Sequence, residues 1–140
     1  MNKDLQIAKK TVLAEIQALK KLSSSFNRSS YFSKAVNLLS KMKGKCLVVG
    51  VGKSYIVSLK VSATLSSLGT PSVAFSANDL QHGGLGAIQK NNDVLLIFSV
   101  SGESSELNSI LRYANRHNIS VIGVSCKSFS MLLRLSFYLS

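Results

Sequence analysis

The 140-residue sequence predicts a doubly wound α/β fold, a five-stranded parallel sheet with helices on both faces, preceded by two N-terminal helices. Three observations carry this expectation. Short continuous apolar runs such as Cys46-Leu47-Val48-Val49 and Val94-Leu95-Leu96-Ile97-Phe98 lack polar alternation, as strands buried on both faces of a parallel sheet require. Helical stretches separate the runs, and strand, helix, strand in that order closes through right-handed crossovers. Two strands also leave through glycine and serine directly into a helix, at Val48-Val49-Gly50-Val51-Gly52-Lys53-Ser54 and at Ile97-Phe98-Ser99-Val100-Ser101-Gly102-Glu103-Ser104-Ser105-Glu106.

Leu5, Ala8, Val12, Ile16, Leu19 and Leu22 recur at spacings of three and four, which places them on one helix stripe that should pack on something. Ser23-Ser24-Ser25 is expected to break that helix. A second follows around Phe32, Ala35, Val36, Leu39 and Met42, with Gly44 as its C-cap. The pattern changes at Lys45, dividing the chain into a helical segment, 1–44, and an α/β portion, 45–140. There the run 46–49 is the first strand and 54–68 a helix, closed by Gly69 and stopped by Pro71. Ser72-Val73-Ala74-Phe75 reads as strand two, and 78–89 as a loop-rich segment around His82-Gly83-Gly84-Leu85-Gly86. Strand three spans 93–98, a helix 104–116, strand four 121–124 and a short helix 128–135; Ser136-Phe137-Tyr138-Leu139-Ser140 would be the fifth strand.

With 46% apolar residues the chain can bury a real core. No run reaches the roughly 18 apolar residues of a membrane span, and Met1-Asn2-Lys3-Asp4-Leu5 lacks a secretory h-region. A cytoplasmic protein with no membrane partner is expected. Cys46 and Cys126 have neither CxxC nor metal-ligand spacing and flank predicted strands, so they read as buried free thiols, with no metal. The net charge of +11 raises nucleic acid as a partner. Up to residue 45, however, ten basic residues face two acids, which accounts for eight of the eleven charges, and these lie between apolar positions of amphipathic helices. No aromatic-interleaved or RNA-reading signature accompanies them, which favours a solvated helix face.

Both serine junctions fall at the carboxyl ends of strands, where open α/β sheets bind ligands. A helix start with close-approaching glycine and serine hydroxyls makes a phosphate cradle, and two in one sheet suggest a sugar-phosphate site. Ser99, Ser101 and Ser104 can donate to phosphate oxygens; the competing reading makes such serines and glutamates ordinary helix caps. Gly50-Val51-Gly52-Lys53-Ser54 satisfies neither GxGxxG nor GxxxxGK[ST], so no nucleotide or other cofactor is expected. Lys53 either pairs with a ligand anion or is a solvated lysine at a helix start. His82 lies among glycines, where its ring can reach a ligand and its near-neutral pKa suits acid–base work. His117, at a helix C-terminus, fits a dipole contact and receives no function.

Taken together and in order, Gly50-Val51-Gly52-Lys53-Ser54, Gly69-Thr70-Pro71-Ser72, His82-Gly83-Gly84-Leu85-Gly86 and Ser99-Val100-Ser101-Gly102-Glu103-Ser104-Ser105-Glu106 resemble the SIS (sugar isomerase) domain of the KpsF/GutQ type arabinose-5-phosphate isomerases. The resemblance implies a flavodoxin-like three-layer fold and a homo-oligomer to which the N-terminal helices contribute. It also implies interconversion of ribulose 5-phosphate and arabinose 5-phosphate, which feeds the Kdo sugar of lipopolysaccharide. Ser54, Ser99, Ser101 and Ser104 match the family's phosphate-binding hydroxyls, and Lys53, His82 and Glu106 its catalytic polar residues. This chain departs from the pattern at Asp79, where the family has glutamate, and at Gly84, where it has aspartate. The family pattern continues past the fifth strand with a further glutamate, a histidine and a helix, and many members add paired CBS domains. The resemblance therefore leads us to expect 140 residues that bind phosphosugar better than they turn it over. A non-catalytic phosphosugar sensor and a basic nucleic-acid-interacting protein are the alternatives.

Overall fold

The structure, a computed structural model, describes residues 2–26, 30–127 and 129–136. The chain divides into two compact units, Met1–Phe32 and Ser33–Ser140. In the first, α1 (Lys3–Phe26) runs unbroken through the serine run. Ser24 Oγ donates to the Lys20 carbonyl at 3.0 Å and Ser25 Oγ to that of Leu22 at 2.7 Å. The hydroxyls are thus absorbed into the helix instead of competing with it. The apolar stripe forms as expected, but no residue of α1 is buried and Leu5, Val12, Ile16, Leu19 and Leu22 all remain exposed.

The elements that follow are α2 (Tyr31–Lys41), β1 (Cys46–Gly50), α3 (Lys53–Ser67), β2 (Ser72–Ser76), α4 (Ala77–Gln81), a 3-10 turn (Gly84–Ala87), β3 (Val94–Phe98), α5 (Glu106–Arg116), β4 (Ser120–Val124) and α6 (Met131–Leu135). Among the described residues the sheet has four parallel strands in the order β2-β1-β3-β4. The doubly wound α/β class is as expected. The anticipated fifth strand falls on 136–140, of which 137–140 lie outside the described residues.

Alternate residues of each strand face opposite layers. Val48, Leu96 and Ile122 pack with Ala35, Leu38 and Leu39 of α2 and with Val61 and Leu65 of α3. Leu47, Val49, Leu95 and Ile97 face the other way, onto Leu80 of α4, Leu107, Ile110 and Leu111 of α5 and Leu132 of α6. Two buried faces explain the unbroken apolar runs, and each fully buried Leu or Ile contributes about 1.5–3 kcal/mol. Gly69 closes α3 as expected: its N–H bonds the Ser66 carbonyl at 3.1 Å and that of Thr70 the Leu65 carbonyl at 2.9 Å, with φ +87° at the glycine.

Two expectations are corrected here. Residues 77–81 are helical, because Ser76 Oγ accepts the Asp79 N–H at 3.1 Å and donates to Asp79 Oδ2 at 2.7 Å, a short capping box. Gly44 is no left-handed C-cap. Its N–H bonds the Asn92 carbonyl at 2.9 Å, and a Cβ there would stand 2.1 Å from Asp93 Oδ1, so the glycine makes room for a carboxylate. His117 caps the end of α5 and rests edge-on against Tyr113, with ring centroids 4.3 Å apart. Its pKa is lowered, by desolvation first and then by Lys90 and Arg116, and its place at the end of α5 is as expected.

Asp93 was not anticipated. Its fully buried carboxylate receives the Lys45 N–H at 2.8 Å, the Gln89 N–H at 2.8 Å and the Lys45 ammonium at 2.9 Å. It ties the amino-terminal ends of β1 and β3 together.

Cys46 is buried as expected, and burial, aided by the nearby Asp93 charge, pushes its thiol up to about 12. Cys126, by contrast, is exposed. Beyond the end of β4 it has no covering layer. An aromatic disulfide reagent is therefore expected to titrate one thiol in the native chain and both after denaturation. Two fast native thiols would contradict the burial of Cys46.

Candidate functional site at the carboxyl ends of the strands

The strand order reverses between β1 and β3, and the crevice beyond that switch point is where open α/β sheets take ligands. The loops leaving these two strands are the two serine junctions. After β1 the chain turns at once into α3, and a Cβ on Gly50 would stand 2.5 Å from the Ser54 carbonyl, so strand end and helix start touch. Ser54 is half-buried in the first turn of α3, while Lys53 beside it is exposed.

The loop after β3 is organised by its own hydroxyls. Ser99 is buried; its Oγ accepts the Gly102 N–H at 3.0 Å and lies 3.3 Å from Ser104 Oγ. Ser101 Oγ accepts the Glu103 N–H at 3.2 Å. Ser105, the residue before α5, makes no side-chain capping bond and instead donates to Glu106 Oε2 at 3.1 Å. The serines therefore shape a turn ahead of α5 and do not cap that helix.

Gly102 lies in the left-handed region at φ +67°, and a Cβ there would come within 2.2 Å of Ser130 Oγ and 2.3 Å of Ser130 Cβ. Gly102→Ala combines an incompatible φ with a clash and is expected to destabilise by about 1–3 kcal/mol. Urea denaturation checks this; an unchanged midpoint would show that the loop can relax around the added methyl.

Ser54 and Ser99 open into one pocket of about 160 Å³, shared with Val57, Phe98, Val100, Val124, Ser125 and Cys126. Two of the four anticipated phosphate hydroxyls thus meet in one cavity. Ser104 joins them through its contact with Ser99, and Ser101 lies on the same loop without lining the pocket. Ser125 and Cys126 were missed, although the rule that ligands lie past the strand ends applies to β4 as it does to β1 and β3.

Lys53, His82 and Glu106 do not line this pocket. His82 is exposed at the end of α4. The neighbouring Gln81 side-chain amide donates to the Glu106 carbonyl, so the end of α4 is fastened to the start of α5. Glu106 is half-exposed, its carboxylate held by Ser105. The departure at Asp79 sits in the capping box of α4.

The sequence profile of the SIS domain matches residues 38–139. The chain belongs to the SIS domain family. Arabinose 5-phosphate isomerase KdsD of Francisella tularensis is 33% identical over 139 residues, 97% of this SIS chain and 42% of that protein. Arabinose 5-phosphate isomerase GutQ of Salmonella typhi is 32% identical over 130 residues, 93% of this chain and 40% of that protein. The chain thus spans about two fifths of the length of these curated relatives. Among solved structures, c3406 of Escherichia coli CFT073 in complex with arabinose 5-phosphate superposes with a TM-score of 0.85 at 28% identity, covering 99% of this chain and 73% of that one. Among the described residues of this SIS chain, no helix is long and apolar enough to cross a membrane.

Proposed function

We propose that this SIS chain binds a five-carbon sugar phosphate beyond the carboxyl ends of β1, β3 and β4 and acts in the interconversion of ribulose 5-phosphate and arabinose 5-phosphate. The observation that carries the reading is the convergence of Ser54 and Ser99, from two separate loops, on one pocket, with Ser104 bonded to Ser99. Hydroxyls beside the positive end of the α3 dipole would receive the phosphate, which fixes the sugar relative to the acid–base groups.

The reaction requires removal of a proton from the carbon beside the carbonyl, an enediol, and return of the proton to the neighbouring carbon. In this reading Glu106 or the His82 imidazole takes and returns that proton, and the Lys53 ammonium steadies the enediolate oxygen. The product would supply synthesis of the Kdo sugar of lipopolysaccharide. The exposed apolar stripe of α1 would be covered by a second copy in a cytoplasmic homo-oligomer.

A second reading, a phosphosugar sensor without catalysis, is favoured by one observation: the hydroxyl loop is internally organised, whereas Lys53 and His82 are exposed and outside the pocket. Calorimetric titration with arabinose 5-phosphate, alongside an isomerase assay on ribulose 5-phosphate, separates the two. Binding with turnover supports the isomerase, and binding without turnover supports the sensor. Absence of sugar-phosphate binding overturns both. DNA binding that fades steeply with salt would instead make the basic helices the working surface.

A further inference from the structure

We propose that Glu103 is a positioning residue, a clasp that holds the loop after β4 against the serine loop after β3 and so fixes the wall of the phosphate pocket. The inference rests on the pocket reading above, but the clasp itself can be tested without any ligand.

Glu103 is exposed and does not line the pocket of Ser54 and Ser99, yet its Oε1 accepts the N–H of Met131, the first residue of α6, at 2.8 Å across 28 residues of sequence. The bond is charge-assisted and short. Beside it the Leu132 N–H donates to the Gly102 carbonyl at 3.0 Å, and the Cys126 N–H donates to the Val100 carbonyl at 3.2 Å. The two loops therefore meet along a seam of main-chain contacts, in which Glu103 supplies the side-chain contact to α6. Both ends of the seam matter to the pocket. Ser99 and Val100 line it from the β3 side, and Cys126 lines it from the β4 side. Gly102, between Val100 and Glu103, is pressed against Ser130, which leaves the loop little freedom except to separate from its neighbour as a unit. Releasing the Glu103 end would loosen α6 at the seam and leave the Leu132, Cys126 and Ser125 contacts alone to hold the pocket wall beside Ser99.

The chemistry needs an acceptor at Oε1 and not a charge, which distinguishes the clasp from an acid–base role. Glu103→Gln keeps the acceptor and Glu103→Ala removes it. Two readouts apply. Hydrogen exchange at the Leu132 and Cys126 amides, which donate across the seam, reports its opening. Calorimetry with arabinose 5-phosphate reports the pocket. Glu103→Ala is expected to speed exchange of the Leu132 and Cys126 amides several-fold and to weaken sugar-phosphate affinity about tenfold, as loss of one charge-assisted hydrogen bond near a site does. Glu103→Gln is expected to restore both to within about twofold of the parent.

An unchanged exchange rate at Leu132 and Cys126 in Glu103→Ala overturns the clasp. A faster rate with unchanged affinity overturns its link to the site, and failure of Gln to restore either readout overturns the acceptor role. If the parent chain binds no sugar phosphate, the pocket reading fails, while the exchange rates still decide whether the clasp exists.

Discussion

Asp93→Ala is expected to cost about 3 kcal/mol or more of stability, because it strands the Lys45 and Gln89 N–H groups and leaves the Lys45 ammonium without its counter-charge. Lys45 is partly solvated, which keeps the cost near the lower end of the range for a buried pair. Burial alone would raise the Asp93 pKa, but the two backbone N–H bonds and the Lys45 ammonium outweigh it and hold the carboxyl below its ordinary 3.8. The unfolded chain therefore takes up this proton first. Stability owed to ionised Asp93 is fully present above the unfolded value and is lost as pH falls through the lowered folded value. Urea unfolding of the parent and Asp93→Asn from pH 7 to 3 should show a constant gap down to about pH 5 that narrows below about pH 4. A gap that does not change with pH would mean that the carboxylate charge contributes nothing.

The Ser99→Ala, Ser101→Ala double variant is expected to weaken arabinose 5-phosphate binding by about ten- to a hundredfold, from about 1.5–3 kcal/mol for the hydrogen bond of Ser99 to a charged group, with Ser101 outside the pocket adding less. The two residues differ in their cost to the fold. Ser99→Ala leaves the Gly102 N–H without its acceptor inside the loop, at about 1–3 kcal/mol, whereas Ser101 Oγ serves an exposed N–H and its loss should hardly move the urea midpoint. Calorimetry on the single and double variants, with urea midpoints in parallel, separates binding from loop collapse. Unchanged affinity in the double variant would sink the phosphate assignment.

What could be read before folding was whatever repeats locally. The apolar runs of β1, β3 and β4, the glycine that closes α3 and the two serine junctions all follow from periods and end signals a few residues long. Elements decided by distant partners could not be read that way. Gly44 is small because Asp93 comes to it from β3, and Asp93 reads as a lone acid before a strand until Lys45 and Gln89 meet it. The α4 helix was missed because five residues show no period, although Ser76 and Asp79 stand at capping spacing. The serine run misled because hydroxyls that favour turns in isolation can also bond back inside a long helix. At the site, residue types marked the hydroxyls, but only the packing of the loops put Ser54 with Ser99 and left His82 and Lys53 outside that pocket.

The carboxylate knot at Asp93 and the hydroxyl loop at Ser99 flank opposite ends of the same five-residue strand, about 20 Å apart at strand rise. Anchorage and recognition are thereby handed to different ends of one rod. Sequence change on the recognition end should leave the anchor intact, and changes more than about 10 Å apart combine almost additively. A library randomised at 100, 101 and 104 can therefore explore new phosphorylated ligands from a background whose thermal tolerance is set elsewhere. Evolution has the same latitude, free to retune what is held without relearning how to fold.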